Sequence, residues 1–121
     1  MTLKTKSTNV LLHALIRTLR KVARENNAKI WRAVADILER PRRKRVIVNL
    51  SKINRLTKSG EVIIVPGKVL GGGELDHPLK VAALGFSESA RKKIINAGGQ
   101  TLTIEDLIKE NPKGSNVRII I

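Results

Sequence analysis

The chain of 121 residues is long enough to form one domain with its own hydrophobic core. It has no cysteine, which excludes disulfides, thiolate metal sites and cysteine nucleophiles, and its two histidines lie too far apart to suggest a metal site. No apolar run approaches the roughly 20 residues that span a bilayer, and none has the features of a signal peptide. We therefore expect neither a metal, nor a cofactor, nor a membrane partner.

Positive charge is concentrated in the first half of the chain. Lys and Arg number 24 against 10 Asp and Glu, which gives a net charge of +14. Residues 1–60 hold 16 basic and 3 acidic side chains, whereas residues 61–121 hold 8 and 7. Because crowded like charges repel one another without a partner, this asymmetry indicates a bound polyanion, and nucleic acid is favoured over a membrane surface.

The first helix is predicted to carry a cationic face. Residues 1–8 have the composition of an extended basic tail that contains Lys4 and Lys6. Ser7 or Thr8 then caps a helix that extends to about Glu25, because apolar residues recur at three- and four-residue spacing. One strip of this helix consists of Arg17, Arg20, Lys21 and Arg24. Like charges four residues apart destabilise an isolated helix by about 0.2–0.5 kcal/mol per pair, so we interpret the strip as a phosphate-contact surface.

A second helix is predicted from about Ala28 to Glu39, ended by Pro41. Arg32 and Asp36 have the spacing of an ion pair within this helix. The single tryptophan, Trp31, is interpreted as a core residue and not as a platform for stacking bases. Two basic helices around a short turn also resemble a helix-turn-helix, so a DNA-binding regulator is the main alternative.

The densest charge lies between the second helix and the next strand. This cluster comprises Arg42, Arg43, Lys44 and Arg45, and it directly precedes an apolar strand, Val46 to Leu50. A basic cluster anchored by a strand loses less entropy on binding than a free tail, so we interpret it as a phosphate clamp. Ser51 is expected to cap a short helix through Leu56, with Lys52 and Arg55 near the same surface.

A glycine-rich loop is predicted to open the second half. The strand Val62–Val65 is expected to stop at Pro66–Gly67, and Lys68 and Gly71–Gly73 follow. The loop lacks the residue order of a P-loop and of a dinucleotide-binding loop, which excludes both types of nucleotide site. We interpret it as a flexible joint that lets the chain lie close to folded RNA, with Lys68 as a phosphate contact.

The remaining elements alternate between short strands and short helices. They are a strand near Leu79–Leu84, a helix over Glu88–Asn96 capped by Ser87, a strand at Leu102, a helix from the capping box Thr103/Asp106 to about Glu110, and a strand from Val117 to Ile121. This order predicts an α/β fold, with basic N-terminal helices leading into a small body of alternating strands and helices. Glu74, Asp76 and His77 are interpreted as a polar turn and not as an acid–base site, so no enzymatic activity is expected.

Four segments resemble a known family of ribosomal proteins. They read RPRRKRVIVNLSKI (40–53), VPGKVLGGGEL (65–75), VAALGFSESARKKI (81–94) and AGG (97–99). They resemble the "eighteen-e" family of the large ribosomal subunit of archaea and eukaryotes, which is related to bacterial "L-fifteen". The chain lacks the long extensions of the eukaryotic members and is similar to the archaeal type.

The resemblance implies an irregular superhelix of strands and helices and a structural, non-enzymatic role. The implied partners are large-subunit ribosomal RNA and neighbouring ribosomal proteins in the cytoplasm, with no small-molecule substrate. The implied RNA contacts are the N-terminal tail, the 42–45 cluster and the Lys68 loop. Residues 1–121 are then one domain, with a tail (1–8), an RNA-facing half (9–60) and a compact body (61–121). A second alternative is an organellar or secreted protein in which residues 1–24, which contain no acidic residue, are a removable presequence.

Overall fold

Helices and strands alternate along most of the chain. A computed structural model describes residues 2–41 and 45–121, with side chains from Val10 onward within those ranges. The described helices are α1 (Thr2–Asn26), α2 (Lys29–Leu38), α3 (Leu50–Leu56), α4 (Glu88–Asn96) and α5 (Ile104–Glu110). The described strands are β1 (Val46–Asn49), β2 (Val62–Leu70), β3 (Lys80–Phe86), β4 (Gln100–Thr103) and β5 (Val117–Ile119). The predicted α/β class is confirmed.

The strands form one parallel sheet in the order β1–β2–β3–β4, with β5 also paired to β2. β1 and β5 share one edge of β2: β5 pairs with Val62–Ile64, and β1 pairs with Gly67–Leu70. β3 occupies the opposite edge. Because parallel strands require every connection to return the chain to the same end of the sheet, the chain coils through successive turns. This coiling is the irregular superhelix that the resemblance implied.

Two apolar layers cover the two faces of the sheet. Adjacent residues of a strand point to opposite faces, so Ile64 packs with α1, α2 and α5, while Ile63 packs with α3 and α4. Leu19 of α1 and Trp31 of α2 are fully buried in the first layer. The two basic helices are therefore fixed to one face of the sheet by core contacts.

The extended tail predicted for residues 1–8 is wrong for the described residues 2–8, because α1 begins at Thr2. This segment contains neither proline nor glycine, the residues that disfavour a helix most, so nothing in the local sequence stops the helix. Lys4 and Lys6 therefore lie on the helical backbone. The prediction that Ser51 caps α3 is also wrong, since the N-cap position is Asn49.

β2 does not stop at Pro66–Gly67 but continues to Leu70, so that prediction is wrong. The register between β2 and β3 shifts between Val65 and Lys68, and a strand irregularity is a position where proline's missing N–H is tolerated. A β-carbon at Gly67 would overlap the carbonyl oxygen of Val46. Glycine at this position lets β1 approach β2.

The predicted helix caps of the second half are confirmed. The Ser87 hydroxyl accepts a hydrogen bond from the Ala90 amide at 3.2 Å. The Thr103 hydroxyl accepts from the Asp106 amide at 3.0 Å, and the Asp106 carboxylate accepts from the Thr103 amide at 3.3 Å. α4 and β4 are joined through Gly98, whose φ of 86° is the left-handed conformation expected after a helix.

Candidate RNA-interaction surface

The cationic strip on α1 lies on the outer side of the helix. Arg17, Lys21 and Arg24 are exposed, whereas Arg20 is half-buried. Among the residues that the structure describes, the three exposed cations have no ion-pair partner. The predicted strip therefore divides into three cations that face solvent and one that the protein itself holds.

Arg20 joins α1 to α2. Its Nη2 atom lies 3.1 Å from Asp36 Oδ1 and also donates a hydrogen bond to Glu39 Oε1. Desolvation lowers the pKa of Arg20, but the hydrogen bonds and charges of the two carboxylates outweigh it and raise the pKa overall. Asp36 thus pairs with Arg20, and the predicted ion pair between Arg32 and Asp36 is wrong.

A groove lies beside this ion pair, between the end of α1 and the start of α2. It encloses about 390 Å³. Its lining is Arg20, Ala23, Arg24, Asn27, Ala28, Lys29 and Arg32, which includes four cations and no carboxylate. Lys29 and Arg32 were not among the residues predicted to contact RNA. The available signal was their three-residue spacing, which places both on the exposed face of α2.

A second cationic region lies at the start of β1. Arg45, directly before β1, and Ile47, within β1, are both exposed. Ile47 is the register partner of Lys68, which lies on β2 and not in a loop. Arg45 therefore lies at the start of the strand that pairs with the Lys68 segment. Arg42, Arg43 and Lys44 lie outside the described residues, as do the side chains of Lys4 and Lys6.

The predicted cations of α3 belong to a different surface from the strip on α1. α3 packs on the opposite face of the sheet from α1 and α2. The Lys52 ammonium donates a hydrogen bond to the backbone oxygen of Ile121 at 2.6 Å, whereas Arg55 is exposed. The structure therefore distributes the predicted cations over both faces of the molecule.

The glycine loop is packed against its neighbours, so its interpretation as a flexible joint is wrong. The Gly72 amide donates to Asn49 Oδ1 at 3.0 Å, and the Ser51 amide donates to the Gly72 carbonyl at 2.9 Å. Lys93 Nζ donates to the carbonyls of Gly71 and Gly73 at 3.0 and 2.8 Å. The three glycines allow this backbone to approach α3 and α4 closely.

The polar turn after the glycine loop is held by a chain of hydrogen bonds. The buried Thr57 hydroxyl lies within hydrogen-bond distance of the Ile53 carbonyl oxygen, at 2.7 Å, and of His77 Nε2, at 2.8 Å. His77 Nδ1 lies 2.9 Å from Asp76 Oδ1, and this hydrogen bond is the main reason why the pKa of Asp76 is lowered. These contacts tie the turn to the end of α3, so the cluster fixes the turn.

The described parts of the chain, residues 2–41 and 45–121, contain no group of three or more His, Cys, Asp or Glu side chains arranged to hold a metal ion. None of their helices combines the length and apolar character needed to cross a bilayer.

Comparison with known proteins identifies the family. The family described as "Ribosomal protein 60S L18 and 50S L18e" matches residues 2–121. A Methanoregula boonei protein is 58% identical over 120 residues, covering 99% of each chain, and a Pyrobaculum aerophilum protein is 53% identical over 117 residues, covering 97% of this chain and 96% of its own. Both are named "Large ribosomal subunit protein eL18", a structural and not an enzymatic designation, which confirms the prediction that the chain is not an enzyme. The chain belongs to the family of ribosomal proteins 60S L18 and 50S L18e, as the resemblance indicated.

Proposed function

We propose that this chain binds large-subunit ribosomal RNA through phosphate and shape contacts and stabilises the fold of that RNA within the cytoplasmic ribosome. The observation that carries the proposal is the exposed strip Arg17, Lys21 and Arg24 on α1, which has no carboxylate partner among the described residues. The names of the relatives place such proteins in the large subunit. Neighbouring large-subunit proteins are the other expected partners.

The two halves of the chain use their cations differently. In the described part of residues 1–60, Arg20 is the one cation with an ion pair. In the second half, Lys80, Lys93 and Arg118 pair with Glu110, Glu74 and Glu61 at 3.1, 3.2 and 3.5 Å. Cations without partners attract phosphates and release the counterions around RNA, which favours binding. The unpaired charge of the first half therefore supports an RNA-facing role for that half.

The binding mode is expected to depend on phosphates and shape and not on base identity. Trp31 is fully buried, and its Nε1 donates to the Pro112 carbonyl at 2.8 Å, so it is not available to stack a base. Phe86 is half-buried, with the Arg91 guanidinium 5.3 Å from the centre of its ring. Stacking platforms of single-stranded RNA-binding modules require exposed aromatic rings.

The structure gives no specific support to the two alternatives. A helix that reads DNA presents its exposed face to the duplex, whereas the exposed face of α2 includes Asp36 beside Lys29 and Arg32, and Asp36 is engaged with Arg20. α1 contributes Leu15, Ile16 and Leu19 to the core, so this part of residues 1–24 belongs to the folded domain and is a poor candidate for a removable presequence.

The proposal is tested by measuring affinity for large-subunit ribosomal RNA across a salt series. Contact with about six phosphates on unpaired strands gives a slope of about −4 for log affinity against log salt. An affinity that does not change with salt would contradict the proposal, and a strong preference for one short DNA duplex would support the regulator alternative. Crosslinking to cellular RNA followed by sequencing would then identify the bound segments.

Matched variants show whether the strip on α1 contributes. Arg17→Gln/Lys21→Gln removes two exposed cations of the strip, and Lys109→Gln/Lys113→Gln removes two exposed cations of the second half. The two variants lose the same net charge, so a difference between them reports the position of the cations. We expect the first pair to reduce the affinity for RNA more than the second, because its cations belong to the exposed strip on α1. Equal losses would show that only the total charge matters.

A further inference from the structure

We infer that the groove between α1 and α2 is a preformed site for phosphodiester groups of the RNA backbone, with Arg24, Lys29 and Arg32 as its ligand-contacting residues. This inference rests on the proposed function and adds to it a defined location and two residues, Lys29 and Arg32, that the sequence did not assign. The groove opens at the tip of the helical hairpin, where α1 ends at Asn26 and α2 begins at Lys29.

The charge of the groove favours an anionic partner. Four of its seven lining residues are cationic and none is acidic. Arg24, Lys29 and Arg32 are exposed and have no ion pair among the residues that the structure describes. Three cations facing one concavity repel one another in the free protein, and a phosphate between them converts this repulsion into attraction.

The shape of the groove is fixed before any ligand binds. Arg20 of α1 is held by Asp36 of α2 and by Glu39 directly after α2, which ties the two walls together. At the tip, the Ala28 amide donates to the Ala23 carbonyl at 2.9 Å, and Asn27 adopts a left-handed conformation with φ of 51°. A site held in this way loses little conformational entropy on binding, which favours affinity.

The lining favours a phosphodiester over a base or a whole nucleotide. Apart from the stems of the basic side chains, the apolar atoms of the groove come from Ala23 and Ala28, which are too small to sandwich a ring. The nearest aromatic residue in the chain, Trp31, is fully buried. Two guanidinium groups and one ammonium group instead match the oxygens of a phosphate, because a guanidinium donates two parallel hydrogen bonds to them.

The test compares two triple variants of the full chain in binding to large-subunit ribosomal RNA. Arg24→Gln/Lys29→Gln/Arg32→Gln removes the groove cations, and Lys92→Gln/Lys109→Gln/Lys113→Gln removes three exposed cations of the second half. None of the six side chains takes part in an ion pair of the described residues, so both variants should fold, which circular dichroism checks.

We expect the groove variant to have a log–log salt slope that is shallower by about two units, since each of three lost phosphate contacts on unpaired strands removes about 0.7. Its affinity at fixed salt should fall by at least about tenfold, while the control variant changes by less than about threefold. Equal losses in the two variants would overturn the inference but leave the proposed function intact. Preferential displacement of RNA from the groove by poly-glutamate would overturn the choice of RNA as the partner.

A second measurement separates failure of the inference from failure of the proposed function. Titration of the wild-type chain with inorganic phosphate, followed by amide resonances in nuclear magnetic resonance spectra, should shift residues 24–32 and should not do so in the groove variant. If the wild type does not bind ribosomal RNA, the proposed function is wrong, and these shifts alone decide whether the groove binds phosphate. Absence of the shifts in the wild type would overturn the inference that the groove binds phosphate.

Discussion

The amide of Gly72 donates a hydrogen bond to Asn49 Oδ1 over 3.0 Å, and a β-carbon on Gly72 would lie only 2.5 Å from that same oxygen. The glycine is therefore required by a close approach to the residue that precedes α3. At Gly73 a β-carbon would lie 2.5 Å from Ser51 Cβ, and the φ of 89° disfavours other residues as well.

Gly72→Ala should lower the free energy of unfolding by about 1–3 kcal/mol, because the new methyl group displaces the Asn49 side chain or the loop. The control is Gly85→Ala, since a β-carbon there has no other heavy atom within 4 Å. Urea unfolding of the two variants measures the difference. Equal stabilities would show that the loop moves aside freely.

Arg20 is expected to contribute to folding more than to RNA binding. Arg20→Gln removes the link between α1 and α2 and should lower the unfolding temperature by about 2–5 °C at low salt. The difference should shrink at high salt, because the ion pairs are partly exposed and therefore screened. Arg17→Gln, on the same helix, is the control and should leave the unfolding temperature nearly unchanged. A larger effect of Arg17→Gln on stability would contradict this assignment.

Asp76 should make the stability depend on acid pH. Its pKa is lowered from the ordinary value of 3.8, chiefly by the hydrogen bond from His77 and then by that with Asn54. A carboxyl whose pKa is lower in the folded state stabilises the fold above its unfolded pKa and loses this contribution as pH falls through the folded pKa. The loss therefore occurs below about pH 4.

Asp76→Asn should consequently be less stable than the wild type at pH 6 and should lose less stability between pH 5 and the acid limit of folding. Urea unfolding at a series of pH values provides the measurement. Glu105→Gln, at an exposed carboxyl with no hydrogen bond or ion pair among the described side chains, should keep the wild-type pH dependence. Parallel pH profiles for Asp76→Asn and the wild type would exclude this role.

Trp31 is expected to stabilise the fold without contacting RNA. Trp31→Phe removes the hydrogen bond to the Pro112 carbonyl and leaves unfilled volume in the core, which should cost about 1–3 kcal/mol. At temperatures where the variant stays folded, its affinity for RNA should equal that of the wild type. A tenfold loss of affinity with unchanged stability would instead indicate base stacking.

Local sequence patterns predicted the elements whose stabilising contacts are themselves local. The cap at Ser87 and the capping box of Thr103 and Asp106 involve residues three positions apart, so the sequence contains the complete motif. The predicted end of β2 at Pro66 is wrong because the strand continues through an irregularity opposite β3 and pairs with β1. Both features depend on segments distant in sequence. Turn propensity is a weak predictor where tertiary pairing decides the outcome.

The candidate site was predictable in its charge but not in its arrangement. The cations of α1 follow from the helical period, but the partners of Arg20 lie 16 and 19 residues further along the chain, on another helix. The sequence does not show that the packing of α2 against α1 brings Lys29 and Arg32 to one groove with Arg24. The packing of the glycine loop was not predictable for the same reason, since its partners Asn49, Ser51 and Lys93 all lie in segments distant in sequence.

β1 and β5 pair with the same edge of β2, and this edge is completed only after the last strand has been synthesised. During synthesis, residues 62–64 emerge more than 50 residues before residues 117–119, their partners in β5. Until β5 arrives, that part of β2 presents unpaired backbone groups to any other extended segment nearby. Such long-range pairing is slow compared with the formation of the α1–α2 hairpin. The nascent chain is thus expected to acquire its cationic helices well before it closes its sheet, and to be most prone to mispairing in the interval between the two events.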